Sequence, residues 1–407
     1  MEGFVVSMKY QQSHPWLTFS FKAELSDYRF WLQLGEVSSK CEHLSGVPLR
    51  PEFAAELHRI FLAKGILATT AIEGNTLSEE QVLESLDGKL ELPPSQDYLR
   101  QEVENILRVC NREIEGHLNN RIENPKLSSK LIESYNREIL ANLRVEEGVA
   151  PGQLRRNSVV VGRVYRGAPA EDCEYLLDQL CRWITGPDFA APSKDLEVSF
   201  ALIKAVIAHV YLAWIHPFGD GNGRTARLVE FHLLFSSGIP LPAAHLLSDH
   251  YNKTRSHYYQ ELDRASKSGG DLMPFLRYAL QGFLDGLRDQ IERVKKHQME
   301  VAWENYVHQC FSQNKSTTTQ KRRRDLVLEL SRYGLIPSKE IELLTPQLAQ
   351  LYAVAGDRML QRDLNALCQL KLIERRGRKV QARKSIIQAF LPARVKPSAN
   401  EDANAKF

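Results

Sequence analysis

The sequence predicts a mainly α-helical chain with one β-hairpin, followed by a small module of helices and two short strands. Apolar residues recur at helical spacing over most of the 407 residues. One β-rich stretch, 155–167, interrupts them with a glycine that permits a turn. The polar segment 313–320 separates a basic C-terminal region from the rest. The predicted parts are an N-terminal helical region at 1–95, a central core at 96–265, a helical connector at 266–312 and a C-terminal module at 321–396.

The helices of the N-terminal half are predicted from their apolar periodicity. Residues 1 to about 50 are mixed and indicate no clear element, although Trp31, Leu32 and Leu34 indicate local packing. Beyond them, the same spacing predicts four helices, at 52–72, 78–90, 97–118 and 127–143.

Two further helices are predicted on either side of a short loop that begins at His216. Residues 196–215 carry apolar side chains at a helical period and predict a buried helix. Pro217 disfavours the α region for the residue before it, so we expect His216 to leave the helix. A helical pattern resumes at Arg227 and stops near Gly238.

The C-terminal region differs from the rest in charge. Residues 321–396 contain 17 lysines and arginines against 7 acidic residues, a net charge of +10, whereas the remainder holds 36 against 43, a net charge of −7. One or two long helices over 272–309 connect it to the core. The module is predicted to form three helices, at 321–333, 337–344 and 357–370. Two short strands around a basic turn are predicted to follow them at 372–380.

The loop between the two central helices has the composition of a phosphate-binding site. Gly221 and Gly223 allow backbone amides to approach an anion closely, and the helix that follows adds its unpaired N–H groups and the positive end of its dipole. Asp220 is a hard oxygen ligand that suits Mg²⁺ held partly by a nucleotide. These residues predict a site for a polyphosphate and its metal ion.

The same loop contains a base and two arginines. His216 can accept a proton from an attacking hydroxyl near neutral pH. Arg224 and Arg227, three residues apart on the second helix, can hold outer phosphate oxygens in a forked geometry. Each feature alone is common in loops and on helix surfaces, but together they indicate phosphate-transfer chemistry.

Residues His216–Arg227 resemble the full signature of the Fic family, His-x-Phe-x-Asp/Glu-Gly-Asn-Gly-Arg-x-x-Arg. The resemblance implies transfer of AMP from ATP to a hydroxyl side chain of a target protein, with release of pyrophosphate. It also implies a role for each position: His216 as general base, Phe218 as core anchor, Asp220 as Mg²⁺ ligand, Gly221, Asn222 and Gly223 as anion cradle, and Arg224 and Arg227 on the β- and γ-phosphates.

A second motif lies far upstream of the signature. Thr69–Asn75 contains Thr-x-x-x-Glu-Gly and resembles the inhibitory helix motif of many Fic proteins, here near residues 54–74. The implied mechanism is that the Glu73 carboxylate pairs with Arg227 and takes the place that the γ-phosphate needs. The alternative is an ordinary helix that ends at Gly74.

Two other segments resemble parts of Fic proteins. The hairpin at 155–167 corresponds to the flap that holds the target segment by strand-like pairing, although it would equally serve only to cover the core. Tyr251 and Asn252 resemble residues that help to enclose the nucleotide base, although aromatic residues at helical spacing are more often part of a core.

The C-terminal module resembles a bacterial winged helix. Helix 357–370 carries Arg358, Gln361, Arg362 and Asn365 on its predicted outward side, and a basic turn follows it. Such domains place their third helix in the major groove of DNA. The sequence leaves open whether this module binds DNA, RNA or another protein.

The remaining observations concern the class of the protein. No apolar run approaches ~20 residues, which predicts no membrane span, and the N-terminus lacks a signal-peptide pattern. Six scattered cysteines indicate reduced thiols and a cytoplasmic location. A homodimer is left open.

The two competing functions are an autoinhibited AMP-transferase and a nucleic-acid-binding regulator whose Fic core senses nucleotide. The intact His216 favours the first.

Overall fold

The computed structural model describes residues 8–22, 26–118, 126–161, 165–312, 317–353 and 357–388. The chain forms two compact units, Met1–Ile291 and Glu292–Phe407. The first unit thus includes both the region 1–95 and the core 96–265. The division lies inside a long helix and not at the polar segment 313–320.

Helices make up most of the first unit, as predicted. They are α1 (Tyr10–Ser13), α2 (Tyr28–Gly46), α3 (Pro51–Ala71), α4 (Glu79–Leu86), α5 (Asp97–Leu118), α6 (Ser129–Ile139), α7 (Cys173–Ile184), α8 (Glu197–Ile215), α9 (Asn222–Ser236), α10 (Leu241–Ala244), α11 (Leu246–Lys253), α12 (Arg255–Lys267) and α13 (Met273–Ser312). Helices α3 to α6 correspond to the four predicted in the N-terminal half. The connector predicted at 272–309 is the single helix α13, which continues into the second unit.

Helix α2 lies where the sequence pattern indicated no element. Its buried residues, Phe30, Leu34, Val37 and Cys41, are three or four positions apart and share one face. The Asp27 carboxylate accepts a hydrogen bond from the backbone N–H of Phe30 at 3.2 Å and caps the first turn. The period was obscured because Leu32, an apolar residue between these positions, faces solvent and is 69% exposed.

Helices α8 and α9 are the centre of the first unit. The stretch Lys194–Ile215 is long and apolar enough to span a membrane by length and composition, and 78% of its apolar window is buried inside the protein. The prediction that no apolar run approaches ~20 residues is therefore wrong for this stretch. Its composition has a structural reason, because a helix surrounded by other helices has no face that benefits from polar side chains.

The predicted hairpin is present beside the loop that joins α8 to α9. Strand β1 (Val160–Val161) pairs antiparallel with β2 (Tyr165–Arg166), and Val160 lies opposite Arg166. The turn at 162–164 lies outside the described residues. Just before the hairpin, Leu154 forms an isolated antiparallel bridge with Phe218. The segment that leads into the hairpin is thus joined to the loop through its backbone.

In its described residues, the second unit combines three further α-helices with a small sheet. Its elements are α14 (Thr318–Leu330), β3 (Ile336–Pro337), α15 (Pro346–Ala353), α16 (Asp357–Gln369), β4 (Ile373–Arg376) and β5 (Lys379–Ala382). The sheet is antiparallel in the order β3-β5-β4. Helices 321–333 and 357–370 and the two terminal strands are therefore present close to their predicted positions.

The prediction of a helix at 337–344 is wrong. Ile336 and Pro337 form the edge strand β3 against β5, and only a short 3-10 helix, Ile341–Leu343, follows. Proline is tolerated on an edge strand because it has no N–H to donate to the sheet. The polar segment is also shorter than predicted, since Thr317 caps α14 by accepting a hydrogen bond from the backbone of Gln320 at 3.2 Å.

Candidate active site

His216 follows the last residue of α8 and has a left-handed backbone, with φ 51° and ψ 57°. This confirms the prediction that it leaves the helix. Non-glycine residues are uncommon in this region, and their strain has to be offset by surrounding contacts. Phe218, which is 1% exposed, anchors the loop in the core two residues later. The base is therefore presented from a sharply turned and well-anchored backbone.

The imidazole of His216 is neutral at physiological pH. Burial lowers its pKa to about 4, and the positive charge of Arg155 also lowers it, against the opposing effects of a backbone hydrogen bond with Ala213 and the charges of Glu73 and Asp220. A neutral imidazole can accept a proton. His216 thus has the protonation state that a general base needs.

The loop is closed by its own asparagine. The Asn222 side chain accepts a hydrogen bond from the backbone N–H of Phe218 at 2.9 Å and donates one to the Phe218 carbonyl at 2.8 Å. Both polar groups of this side chain therefore hold the loop. Gly221, at φ 76°, is the N-cap residue of α9. The first turn of α9 therefore offers N–H groups beside the loop, as expected of an anion cradle.

Arg227 is bound by the segment predicted to be inhibitory. Its guanidinium, 2% exposed as a residue, donates to the Glu73 carboxylate at 2.6 Å, to the Thr69 hydroxyl at 2.8 Å and to the Thr69 carbonyl at 2.9 Å. Burial raises the pKa of Glu73, but attraction and hydrogen bonding by Arg227 outweigh it and the pKa is lowered. The contact expected from the sequence, Glu73 with Arg227, is present as a charged pair.

The Glu73 carboxylate also lies directly over the cradle. A Cβ atom placed on Gly223 would lie 2.2 Å from Glu73 Oε1. Gly223 therefore has no room for a side chain while Glu73 is in place. The carboxylate occupies the approach to the first turn of α9, which is the position that an anionic group of a ligand would take.

Arg224 is held by two carboxylates, one of which the sequence did not indicate. Its guanidinium donates to Glu102 of α5 at 2.8 Å and to Asp220 at 3.1 Å. Glu102 also accepts a hydrogen bond at 2.9 Å from Asn75, just beyond the inhibitory motif. Glu102 thus links the motif to the second arginine. It belongs to an ordinary amphipathic helix, so no local pattern distinguishes it from other surface glutamates.

The side chain of Asp220 is 42% exposed. Its carboxylate accepts hydrogen bonds from Arg224 and from the backbone N–H of Gly221. Among the residues that the structure describes, no three His, Cys, Asp or Glu side chains cluster as metal ligands. A cation at Asp220 would therefore take its other ligands from substrate oxygens and water, which suits Mg²⁺.

Tyr251 lies in the aromatic core and not on the surface of the site. It is 0% exposed, it stacks on Tyr258 with ring centroids 4.8 Å apart, and its hydroxyl donates to Glu230 at 2.9 Å. Its burial agrees with the alternative that an aromatic residue at helical spacing is part of a core, and its role in enclosing a nucleotide base stays a prediction. Its neighbour Asn252 is half-buried on α11.

The sequence is similar to those of known proteins. Residues 126–234 match the model of the Fic/DOC family. The protein adenylyltransferase fic-1 of Caenorhabditis briggsae is 32% identical over 244 residues, covering 56% of this chain and 43% of that protein. The fic-1 protein of Caenorhabditis elegans is 33% identical over 216 residues, covering 52% and 37%. The chain thus spans less than half the length of these two relatives.

Solved structures share the fold. A Fic family protein from Desulfovibrio desulfuricans G20 superimposes with a TM-score of 0.54 and 20% identity, covering 89% of this chain and 97% of that one. A fragment of Fic-1 from Caenorhabditis elegans superimposes with a TM-score of 0.52 and 24% identity, covering 67% and 74%. The mainly helical fold class is confirmed.

Proposed function

Because the chain carries a Fic/DOC-family domain at residues 126–234, we propose that it transfers AMP from ATP to a hydroxyl side chain of a target protein. The observation that carries this proposal is the neutral His216 on a loop that also presents the α9 N-terminus and two buried arginines. The names of the two fic-1 relatives agree with it.

The proposed reaction is a displacement at the α-phosphorus. The His216 imidazole accepts the proton of the target hydroxyl as its oxygen bonds to the α-phosphorus, and the bond to the oxygen that bridges the α- and β-phosphates breaks. Pyrophosphate leaves with that oxygen and both electrons of the broken bond. The residues Arg224 and Arg227, with the amides of the first turn of α9, would hold the outer phosphates. Asp220 would hold Mg²⁺, which neutralises phosphate charge when bound.

In the same proposal, Glu73 holds the enzyme in a silent state. While its carboxylate pairs with Arg227 and covers Gly223, the γ-phosphate has no cationic partner at this position, and ATP binds with its phosphates displaced. Alignment of reacting groups accounts for about 7 to 11 kcal/mol of barrier lowering in favourable cases. A modest displacement of the α-phosphate is therefore enough to suppress turnover.

The test uses Glu73→Gly protein and a cell extract, with ATP labelled on either the α- or the γ-phosphate. We expect protein bands that carry the α-label and not the γ-label, and none with Glu73→Gly/His216→Ala protein. A band that is lost with the Glu73→Gly/His216→Ala protein and carries the γ-label would indicate phosphoryl transfer instead. Absence of both labels would contradict the proposed activity.

A second function is proposed for the C-terminal unit, namely binding of double-stranded nucleic acid by a winged helix. In the structure Arg358, Gln361, Arg362 and Asn365 of α16 are all exposed. Arg375, Arg376 and Arg378, at the β4–β5 turn, are exposed as well. Exposed basic groups beside a helix with polar residues on its outer face suit phosphate contacts and groove readout.

A further inference from the structure

Arg155 is a buried arginine whose guanidinium donates only to backbone carbonyls among the hydrogen bonds of the described residues. It is 8% exposed and lies immediately before the hairpin. Its acceptors are His216 at 2.7 Å, Asn157 at 2.7 Å, Ile215 at 3.4 Å and Ala168.

Two of these carbonyls belong to the end of α8. Carbonyl groups in the last turn of a helix lack intrahelical partners and carry the negative end of its dipole. Arg155 places a positive charge and two N–H donors there, on the carbonyls of Ile215 and His216. It therefore stabilises the left-handed turn that presents the imidazole.

The other two carbonyls belong to the hairpin. Asn157 precedes β1 and Ala168 follows β2, so the guanidinium holds both legs of the hairpin. Gly167 makes the packing tight: a Cβ atom there would lie 3.0 Å from both Arg155 Nη2 and His216 Cβ. One side chain thus sets the position of the hairpin relative to the base.

We propose that Arg155 is a positioning residue that couples the hairpin to His216, fixing the distance between a hydroxyl held on the hairpin and the imidazole that deprotonates it. This inference rests on the proposed AMP transfer. It assigns Arg155 a role through His216, without contact with ATP.

The charge of Arg155 has a second, measurable effect. The charged groups that act on the His216 imidazole are Arg155, which lowers its pKa, and Glu73 and Asp220, which raise it. Loss of the Arg155 charge should therefore raise the pKa of His216, whereas a lysine that retains the charge should not.

The activity test compares Arg155→Lys and Arg155→Met in a Glu73→Gly background, with Arg182→Met as the control, since Arg182 on α7 has a 70% exposed side chain. We expect AMP transfer to fall about 10- to 100-fold in both Arg155 variants, with the Kd for ATP within about twofold. The control should match its parent. Transfer at the parental rate in folded Arg155→Lys protein would overturn the proposal.

The second measurement follows the His216 imidazole by NMR over pH, in the same background and independently of transfer. In Arg155→Met protein its titration should move upward by about 0.5 pH unit or more, and in Arg155→Lys protein it should stay in place. Equal titration curves in all variants would overturn the coupling. If Glu73→Gly protein itself transfers no AMP, the proposed function fails, and the NMR titration still decides whether Arg155 acts on His216.

Discussion

At the residue scale, the proposed chemistry depends on His216, whose environment keeps it neutral while its backbone is held in a strained turn. Burial lowers its pKa to about 4, so the base form prevails over the physiological range. In the proposed reaction, its neighbours in the signature hold the loop and the phosphates. This division of roles predicts that catalysis and ATP binding can be separated by mutation.

His216→Ala in a Glu73→Gly background should lose AMP transfer by about 10²-fold or more while ATP binding persists, because the imidazole acts on the incoming hydroxyl and other groups hold the phosphates. Calorimetry with ATP and a transfer assay with α-labelled ATP measure the two properties. Transfer at the parental rate would remove His216 from its proposed role.

Glu73 and Arg227 should behave as one unit. Glu73→Gly frees Arg227 for the γ-phosphate and should raise transfer well above that of the wild-type protein. Arg227→Ala should be inactive alone and remain inactive when combined with Glu73→Gly, because the released arginine is the group that orients ATP. A transfer assay on the four proteins, with Mg²⁺ and ATP, tests this. Equal activity of Glu73→Gly and wild-type protein would contradict autoinhibition.

Glu230 should give the first unit a pH-dependent stability. Burial raises the pKa of its carboxyl to about 8 from an ordinary 4.5, even though the Tyr251 hydroxyl and Arg227 lower it. The folded chain therefore retains a proton that the unfolded chain releases, and this carboxyl's contribution to stability is lost as pH rises from about 4.5 to 8. Glu230→Gln protein should not lose stability in this way, because an amide does not titrate between pH 4.5 and 8. The free energy of unfolding in urea should fall less between pH 5 and pH 8 for the variant than for the wild-type protein. Equal falls in both proteins would contradict a protonated Glu230.

At the element scale, α3 and the residues that follow it hold Arg227. The last turn of α3 supplies Thr69, and Glu73 follows in the next residues before Gly74 ends the segment at φ 104°. The hydroxyl and carbonyl of Thr69 hold the same guanidinium that Glu73 pairs with. The position of α3 against its neighbours therefore sets whether Arg227 is available.

Gly65→Ala should move this helix. A Cβ atom on Gly65 would lie 2.4 Å from Nδ1 of His245, whose ring stacks on Phe231 with centroids 4.5 Å apart. We expect a loss of about 1–3 kcal/mol of stability and AMP transfer above the wild-type rate. Gly35→Ala on α2 is the matched control, since nothing lies within 4 Å of its Cβ. Unchanged transfer in a destabilised Gly65→Ala protein would show that α3 does not control the site.

At the scale of the whole molecule, the near-neutral total charge of +3 conceals a basic region at 321–396. If the C-terminal unit binds nucleic acid through phosphates, affinity should fall steeply with added salt. Reversing the charges of Arg375, Arg376 and Arg378 should weaken binding to all sequences alike. Gel-shift titrations of the full chain at two salt concentrations measure both effects, with Arg182→Glu as the control. No binding to DNA or RNA at low salt would favour a protein-interaction module.

The sequence by itself determined the features that depend on neighbours along the chain. Helical periods located α3 to α6, α8 and α9, and the spacing from His216 to Arg227 indicated a loop with a base, a cradle and two cations. The pairing of Glu73 with Arg227 came from resemblance, since no local property links residues so far apart. Only the tertiary structure showed that Glu102 pairs with Arg224 and that Arg155 donates a hydrogen bond to the carbonyl of His216. It also placed Tyr251 in the core and a strand, β3, where a helix was expected. These contacts depend on which surfaces meet when helices pack. Every residue has a backbone carbonyl, so the residue types around a guanidinium that binds carbonyls do not indicate the contact.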